Sequence, residues 1–408
     1  MTDQSPSRFR TLSSIPPITT YTFTHVFENT TQSAFFVRSA LPLVQHLLSG
    51  ENGLLFAYGV TNSGKTYSIQ GGRGEEEAGI LPRTLDVIFN SIDGLHSERL
   101  MRPKGLGGVE FLDKEDSAGS ETLTEKEEKA SAMIDQVLGD GESGPMANGS
   151  ADATTLPIDK NYEYAVWLSY AEVYNEKIFD LLTVSDSTTA NPNPDIPKSQ
   201  SISGAISSYM NLAALAASSS GSNSVPVTLH RRALSLKSSP DGLGKYIQGL
   251  REVKVRNAEE ARAVVKMGTI NRRVFGTLAN AVSSRSHAVF TIRLVKIHRG
   301  AGAGEFLQYM VRDQVSSIPS GTPSEEDIVV SRLAIVDLAG SERVRNAGTS
   351  RIGEGDRLRE AGNINKSLMV LGQCMDAMRM NQRRLAAAGA TALPKGAYLV
   401  IWPRFIQY

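Results

Sequence analysis

The stretch FAYGVTNSGKTYSIQGG, residues 56–72, decides the fold that we predict for this chain. Its central eight residues match the pattern G-x-x-x-x-G-K-[ST] in full. The glycines let the backbone turn tightly, so that successive N–H groups point at phosphate oxygens, and a helix opening at Lys65 adds its positive N-terminal end. The matching residues are Gly59, Val60, Thr61, Asn62, Ser63, Gly64, Lys65 and Thr66.

This phosphate loop assigns chemistry to two side chains. Lys65 is predicted to reach the β- and γ-phosphates of a nucleotide, and the Thr66 hydroxyl is predicted to ligate Mg²⁺. A chance match is the alternative, but LLFAY before the motif supplies a strand and TYSI after it continues as a helix. A strand–loop–helix unit of this kind predicts a nucleotide site.

Two further segments carry polar groups that such a site needs. In LAIVDLAGSE, Asp337 follows an apolar strand and is predicted to hold the water shell of the metal, while a backbone N–H at Gly340 could touch a γ-phosphate. In NAVSSRSH, residues 280–287, serines could ligate Mg²⁺ and position water. The plainer alternatives are an aspartate that caps a turn and a polar loop capped by its own serines.

Composition limits the class of protein. The 408 residues suffice for one large domain or two smaller ones. Because 43 Lys+Arg balance 43 Asp+Glu, the net charge of +0 gives no reason to expect nucleic acid or an anionic membrane as a partner. The single cysteine, Cys374, excludes an internal disulfide, and we find no apolar span of about 18 residues. These features predict a cytoplasmic protein without membrane insertion.

Polar, low-complexity stretches divide the chain into ordered blocks. We expect a disordered segment at residues 1–20, one domain over residues 21–384, and an atypical tail at residues 385–408. The domain is predicted to carry low-complexity insertions at about residues 93–160, 183–226 and 300–327.

Three local patterns lead to specific expectations about secondary structure. YAVWLSYAEVYNEKIFDLL is expected to form a strand followed by a short amphipathic segment. Asn257 and Glu260 have capping-box spacing before a helix that Gly268 is expected to close. Apolar residues at three- and four-residue steps between Leu358 and Met378 predict a long helix with one apolar face.

The three polar segments, in this order, resemble the P-loop, switch I and switch II of the kinesin motor domain. SSRSH and DLAGSE are specific signatures of that family, and the likeness covers most of residues 21–380. Val60, Asn62 and a long insertion after the second helix are similar to the kinesin-6 group, which works on the central spindle in cytokinesis. Further stretches that carry the likeness are FTHVFENTTQSAFF, PLVQHLLSGENGLLFAYG, GILPRTLDVIF, LSYAEVYNEKIFDLL, YIQGLREVKVRNAEEA and EAGNINKSLMVLGQC.

The resemblance implies a fold and a function. The fold is a P-loop NTPase-type three-layer α/β sandwich, with a central, mostly parallel, twisted sheet flanked by helices. The function is that of a microtubule-based motor ATPase that uses ATP and Mg²⁺ on the cytoskeleton, including the mitotic spindle. A truncated microtubule-binding module that holds nucleotide without productive cycling is an alternative. A GTPase is another, although the guanine-reading Asn-Lys-x-Asp is absent, since Asn365-Lys366 is followed by Ser367-Leu368.

The resemblance also implies roles for residues of the nucleotide site. Thr66 and Ser284 are expected to ligate Mg²⁺, with Asp337 bound through water. Tyr67 and Asn280 are expected to contribute to nucleotide binding together with the phosphate loop.

Four residues are expected to form the hydrolytic and sensing machinery by the same resemblance. Ser283 would contact the attacking water, and Gly340 would sense the γ-phosphate through its N–H. Arg285 and Glu342 resemble the switch salt bridge that closes when ATP is bound, and Glu342 would also relay a proton through a second water.

The resemblance also implies residues that contact the microtubule, and it shows where the two ends of the chain depart from the family. Arg343, Arg345 and Lys366 are expected near the acidic surface of tubulin. The family begins with a strand carrying Arg-x-Arg-Pro, whereas this chain offers only Arg8-Phe9-Arg10, and LAAAGATALPKGAYLVIWPRFIQY does not match the family's ending. We therefore expect truncation at both ends, with no dimerisation region and with an edge of the sheet left unpaired.

Overall fold

The computed structural model describes residues 20, 23–28, 30–72, 74, 76–111, 152–182, 232–239, 244–278, 285–299, 328–341, 354–387 and 397–401. The chain divides into two units, Met1–Thr30 and Thr31–Tyr408. In the described part of the first unit there is no helix or strand, and the rings of His25 and Phe27 lie 6.1 Å apart. The helices and strands of the second unit carry the candidate site.

The second unit mixes helices and strands along the chain. In chain order, its described elements are α1 (Gln32–Ser39), α2 (Leu41–Ser49), β1 (Gly53–Ala57), α3 (Lys65–Gln70), α4 (Ile80–Ser91), β2 (Met101–Lys104), β3 (Gly108–Phe111), β4 (Tyr162–Tyr174), β5 (Lys177–Asp180), β6 (Ser235–Ser238), β7 (Lys245–Gln248), β8 (Val253–Val255), α5 (Ala258–Leu278), β9 (His287–His298), β10 (Ile328–Asp337), α6 (Glu354–Ala387) and β11 (Ala397–Ile401).

A seven-stranded sheet forms the centre, in the order β11-β1-β10-β9-β4-β5, with β8 paired to β4. Only the β1–β10 and β1–β11 pairs are parallel, and the other pairs are antiparallel. The predicted three-layer α/β class is confirmed, but "mostly parallel" needs correction, because the sheet is mixed. Consecutive strands such as β9 and β10 pair directly with each other, whereas a parallel pair needs a crossover connection between its strands.

The segment after β4 is a second strand and not a separate amphipathic segment. β4 and β5 are joined by Asn175 and Glu176, whose φ angles are 48° and 61°, and Tyr174 pairs with Lys177 across the turn. Two consecutive residues at positive φ form the tight turn whose twist matches that of a hairpin. The chain therefore reverses at once, and the apolar residues of KIFD extend the sheet.

One face of the sheet is covered by α1, α2, α4 and α5. In α2 the buried residues are Leu43, Val44, Leu47 and Leu48, which is the spacing of one helix face. They join Tyr164 and alternate residues of β4, β9 and β10 in one apolar core. Full burial of side chains of this size contributes about 1.5–3 kcal/mol each, so this layer holds the sheet against its helices.

The opposite face has two separate covers. Leu368 of α6 packs on Phe56 and Leu338, at the ends of β1 and β10. Met101, in the β2–β3 hairpin, packs on Trp167 and on residues of β9. In the described part of the chain, none of the helices is long and apolar enough to cross a membrane.

The insertion predicted at about residues 93–160 is ordered in part. It contains the β2–β3 hairpin, and Asp152 is buried in a salt bridge with Arg83, 2.9 Å from Asp152 Oδ2 to Arg83 Nη1. The backbone N–H of Asp152 also donates to Asp86. The partners of both edges lie elsewhere in the fold: Asp152 is held by α4, and the hairpin packs on β4 and β9. Residues 112–151 and the insertions at residues 183–226 and 300–327 lie outside the described part of the chain.

Gly268 does not close its helix, because α5 continues to Leu278. The capping prediction at the other end is confirmed in part: Asn257 Oδ1 accepts the N–H of Glu260 at 2.8 Å, while the Glu260 carboxylate accepts from the N–H of Arg256. Gly268 lies against the ring of Tyr170. Its role is to allow close approach of α5 to β4.

Replacing Gly268 with alanine is expected to lower the free energy of unfolding by about 1–3 kcal/mol, because the added Cβ would overlap the Tyr170 ring. Gly362 is the matched control, since a Cβ in that helical position meets nothing within 4 Å. Gly362→Ala should stabilise the chain by up to about 1 kcal/mol. Urea unfolding of both variants checks this, and equal stabilities would contradict the assigned contact.

The expected open edge of the sheet is occupied in the structure. Residues of β11, within the atypical tail, pair in parallel with β1 along its whole length, from Gly53↔Ala397 to Ala57↔Ile401. The expectation of an unpaired edge is therefore wrong for β1. Five consecutive apolar residues, AYLVI, favour a strand, and the edge of β1 offers it backbone hydrogen-bonding partners.

Candidate functional site

The phosphate loop has the backbone that its sequence predicts. It connects β1 to α3, which begins at Lys65. Asn62 has φ 63° and Gly64 has φ 92°, both in the left-handed region. A Cβ at Gly64 would meet no atom within 4 Å, so the glycine is needed for its backbone angle and not for space.

Lys65 is held inside this loop. Its side chain is buried, and Nζ donates to the carbonyl oxygens of Gly59 at 2.9 Å and Val60 at 2.7 Å. A buried ammonium needs such partners, because burial otherwise disfavours the charge. The loop therefore holds a positive charge beside the backbone that is predicted to bind phosphate.

The end of β10 brings an acid to the loop. β1 and β10 are parallel neighbours with Ala57 opposite Asp337, so the two strands end together. Thr66 Oγ1 donates to Asp337 Oδ2 at 2.9 Å. The predicted pairing of the phosphate loop with an acid on a neighbouring strand is thus present as a direct contact.

Arg272 of α5 completes this contact. Its Nη1 lies 2.9 Å from Asp337 Oδ2, and both side chains are at most 5% exposed. Burial works against the charge of Arg272, but Asp337, Tyr170 and Glu172 together outweigh it, so the pKa of Arg272 lies above its usual value. Arg272 also donates to the carbonyl of Ser286 at 2.8 Å, which ties α5 to the segment before β9.

Two buried oxygens at the site lack hydrogen-bond partners within the described structure. They are Asp337 Oδ1 and Ser63 Oγ. A buried acceptor without a partner costs roughly 1–3 kcal/mol, so a ligand that satisfies it would be favoured. Carboxylate and hydroxyl oxygens are the ligands that Mg²⁺ prefers, directly or through its waters. The residues present therefore fit a hydrated Mg²⁺ with a phosphate group.

The loop that follows β10 returns to the phosphate loop. The N–H of Ser341 donates to the carbonyl of Gly59 at 3.1 Å, and that of Leu338 donates to Ala57 at 3.4 Å. Gly340 is buried between these two contacts. The structure thus brings Gly340 to the phosphate loop, as its predicted role requires.

The other predicted residues fall into two groups. Tyr67 is 47% exposed beside the loop, and Arg285 is half-buried just before β9. Lys366 lies on α6, where Nζ bonds Glu176 at 2.8 Å. The predicted residues outside the described part of the chain are Asn280, Ser283, Ser284, Glu342, Arg343 and Arg345.

Sequence reasoning missed the role of Arg272, although a signal was present. Val265 and Gly268 lie on the buried face of α5, and position 272 follows them at helical spacing. A charged residue on an apolar face needs a buried partner. That partner, Asp337, lies 65 residues away, so only the fold identifies it.

Comparison with known proteins decides the family. The model of the kinesin motor domain matches residues 6–387. The chain belongs to the kinesin motor domain family. Members of this family are microtubule-stimulated ATPases that bind ATP with Mg²⁺. The predicted family is confirmed.

Individual kinesins refine this placement. The chain is 34% identical to mouse kinesin-like protein KIF23 over 372 residues, which covers 89% of the chain and 32% of that relative. It is 30% identical to human kinesin-like protein KIF20A, covering 89% of the chain and 37% of the relative. A solved structure described as kinesin 6 matches with a TM-score of 0.60 and 29% sequence identity. The match covers 94% of this chain and 84% of the chain in that structure. The predicted likeness to kinesin-6 is confirmed, and the chain spans about a third of these relatives' length.

Proposed function

We propose that this kinesin motor domain hydrolyses ATP and that microtubules stimulate the reaction. The observation that carries the proposal is the Thr66–Asp337–Arg272 contact at the phosphate loop, with Asp337 Oδ1 left as a buried acceptor. A hydroxyl and an acid at this place are what a nucleotide-bound Mg²⁺ needs. Arg272 places a cation beside this acid in a buried position.

The nucleotide site is proposed to work through groups held in place before binding. Mg²⁺ bound to ATP supplies charge neutralisation on the phosphates and orients them for attack by water. Lys65 is proposed to exchange its two loop carbonyls for phosphate oxygens, since an ammonium favours the more negative partner. Thr66 and Ser284 would hold the metal, with Asp337 acting through water. Backbone N–H groups of the phosphate loop, together with Tyr67 and Asn280, would bind the nucleotide.

Hydrolysis and sensing are assigned to the two switch segments. Ser283 is proposed to position the attacking water, and Glu342 to accept its proton through a second water. The N–H of Gly340 would donate to the γ-phosphate, and closure of the Arg285–Glu342 bridge would order both segments. Loss of that phosphate would release them, which is an order–disorder switch.

Microtubule binding is proposed to involve Arg343, Arg345 and Lys366. Lys366 forms a salt bridge with Glu176 on the β4–β5 turn, and both side chains are more than half exposed. An exposed pair of this kind is weak and screened by salt, so an acidic tubulin surface can compete for Lys366. The proposed place of action is the microtubule cytoskeleton, including the mitotic spindle in cytokinesis, on the strength of the kinesin-6 likeness.

Phosphate release from the purified chain with Mg·ATP tests the proposal. We expect slow release alone and several-fold faster release when stabilised microtubules are added. Co-sedimentation with microtubules without phosphate release would instead support a nucleotide-holding binding module. Preferential binding and hydrolysis of GTP would support a different P-loop enzyme.

A further inference from the structure

We propose that His287 is a positioning residue that links the γ-phosphate-sensing loop after β10 to helix α6. His287 begins β9, and its ring is hydrogen-bonded on one side to the backbone of that loop and on the other to α6. The inference rests on the proposed function, and it adds a specific coupling contact to it.

Only one assignment of donors and acceptors satisfies the hydrogen bonds around His287. The N–H of Ala339 donates to Nδ1 at 3.0 Å, so Nδ1 carries no proton. A neutral imidazole then carries its proton on Nε2, which lies 2.8 Å from Ser367 Oγ and must donate to it. The Ser367 hydroxyl in turn donates to the carbonyl of Ile364 at 2.7 Å. A single ordered chain thus runs from the loop after β10 into the backbone of α6.

The surroundings of His287 keep the ring neutral. The side chain is buried, and Arg272 and Asp337 are the charged groups that act on it. Burial, and then the charge of Arg272, lower the pKa of His287 to about 4, although Asp337 acts in the opposite direction. A protonated ring would also place an N–H against the N–H of Ala339. The neutral ring with its proton on Nε2 is therefore the form that serves as the link.

The position of Ala339 gives this link its function. Ala339 is the residue before Gly340, whose N–H is proposed to donate to the γ-phosphate. On its other side, Leu338 belongs to the same apolar cluster as Leu368 of α6. A shift of the loop toward the phosphate would therefore move an apolar contact and a polar contact with α6 together. The polar contact specifies the position of α6, because its geometry is directional, whereas apolar packing is not.

Ser367 is the residue to change, because it touches neither the nucleotide site nor the core. It occupies an exposed position on α6, so Ser367→Ala removes the acceptor of the His287 proton without opening a cavity. Ser367→Thr is the matched control, because it keeps the hydroxyl and a threonine in a helix can bond the same preceding carbonyl.

We expect Ser367→Ala to keep binding of a fluorescent ATP analogue and basal hydrolysis within about twofold of the unaltered chain. Its microtubule-stimulated kcat should fall by about five- to tenfold, the range expected for loss of one coupling hydrogen bond. The microtubule concentration at half-maximal rate should change little, and Ser367→Thr should restore most of the stimulation. A merely structural role would instead lower thermal stability and both activities together.

Two results would overturn the inference. One is full stimulation of the Ser367→Ala variant, which would leave the proposed motor function intact. The other is a ¹⁵N spectrum of the histidine-labelled full chain, assigned with His287→Asn, that shows the proton on Nδ1 at neutral pH. If microtubules fail to stimulate the unaltered chain, the proposed function itself is wrong and this inference falls with it.

Discussion

Replacing Lys65 with methionine is expected to slow ATP hydrolysis by this chain by at least about 100-fold, the usual loss when a preorganised charge at the reacting phosphates is removed. Methionine keeps most of the length and apolar contact of the lysine stem but carries no charge. The Lys65 ammonium is buried beside the carbonyls of Gly59 and Val60, where the dielectric is low and one charge has a large effect.

Phosphate release at saturating microtubules, with folding checked by circular dichroism, measures this effect. Lys237→Met is the matched control, since Lys237 is exposed on β6. The control should hydrolyse ATP at the rate of the unaltered chain. Hydrolysis by Lys65→Met within a few-fold of that rate would contradict the role assigned to the phosphate loop, whatever the second switch contributes.

Replacing Arg272 with methionine is expected to lower the free energy of unfolding by about 3–5 kcal/mol, because it leaves the buried carboxylate of Asp337 without its cation. The same change removes the bond to the carbonyl of Ser286, so the segment before β9 also loses an anchor. Nucleotide binding should weaken as well, since Asp337 then no longer has a fixed orientation toward Thr66.

Urea unfolding of three variants separates the buried charge from simple loss of packing. Arg379→Met, at a largely exposed position of α6, should change stability by less than about 0.5 kcal/mol. The double variant Arg272→Met with Asp337→Leu should recover part of the loss, because no unpaired charge then stays buried. A single Arg272→Met variant as stable as the control would show that the pair contributes nothing to the folded state.

The elements that sequence patterns predicted well are those defined by neighbours along the chain. β1, the helix beginning at Lys65, the strand ending at Asp337 and the long helix α6 all lie where their periodicity and bounding residues placed them. The prediction for α5 was wrong at Gly268, which was expected to end the helix. The helix continues there, and the glycine instead allows a close approach to Tyr170. That glycine serves a neighbouring strand, and a local pattern holds no information about such a neighbour.

The site divides in the same way. The phosphate loop was readable because its chemistry lies in eight consecutive residues, whose glycines, lysine and threonine set both backbone shape and charge. The roles of Arg272 and His287 could not be predicted from the sequence. His287 stands within a quoted motif, yet its partners Ala339 and Ser367 lie 52 and 80 residues away.

By itself, the sequence determined the family, the phosphate loop and the acid that serves it, because each rests on short runs of residues whose conformation and charge are local. Only the tertiary structure decided that the sheet is mixed, that β11 covers its edge, and that Arg272 and His287 bind the ends of β9 and β10 to their helices. Those contacts join residues far apart in the chain. Strand pairing and burial bring them together, and both depend on the packing of the whole unit.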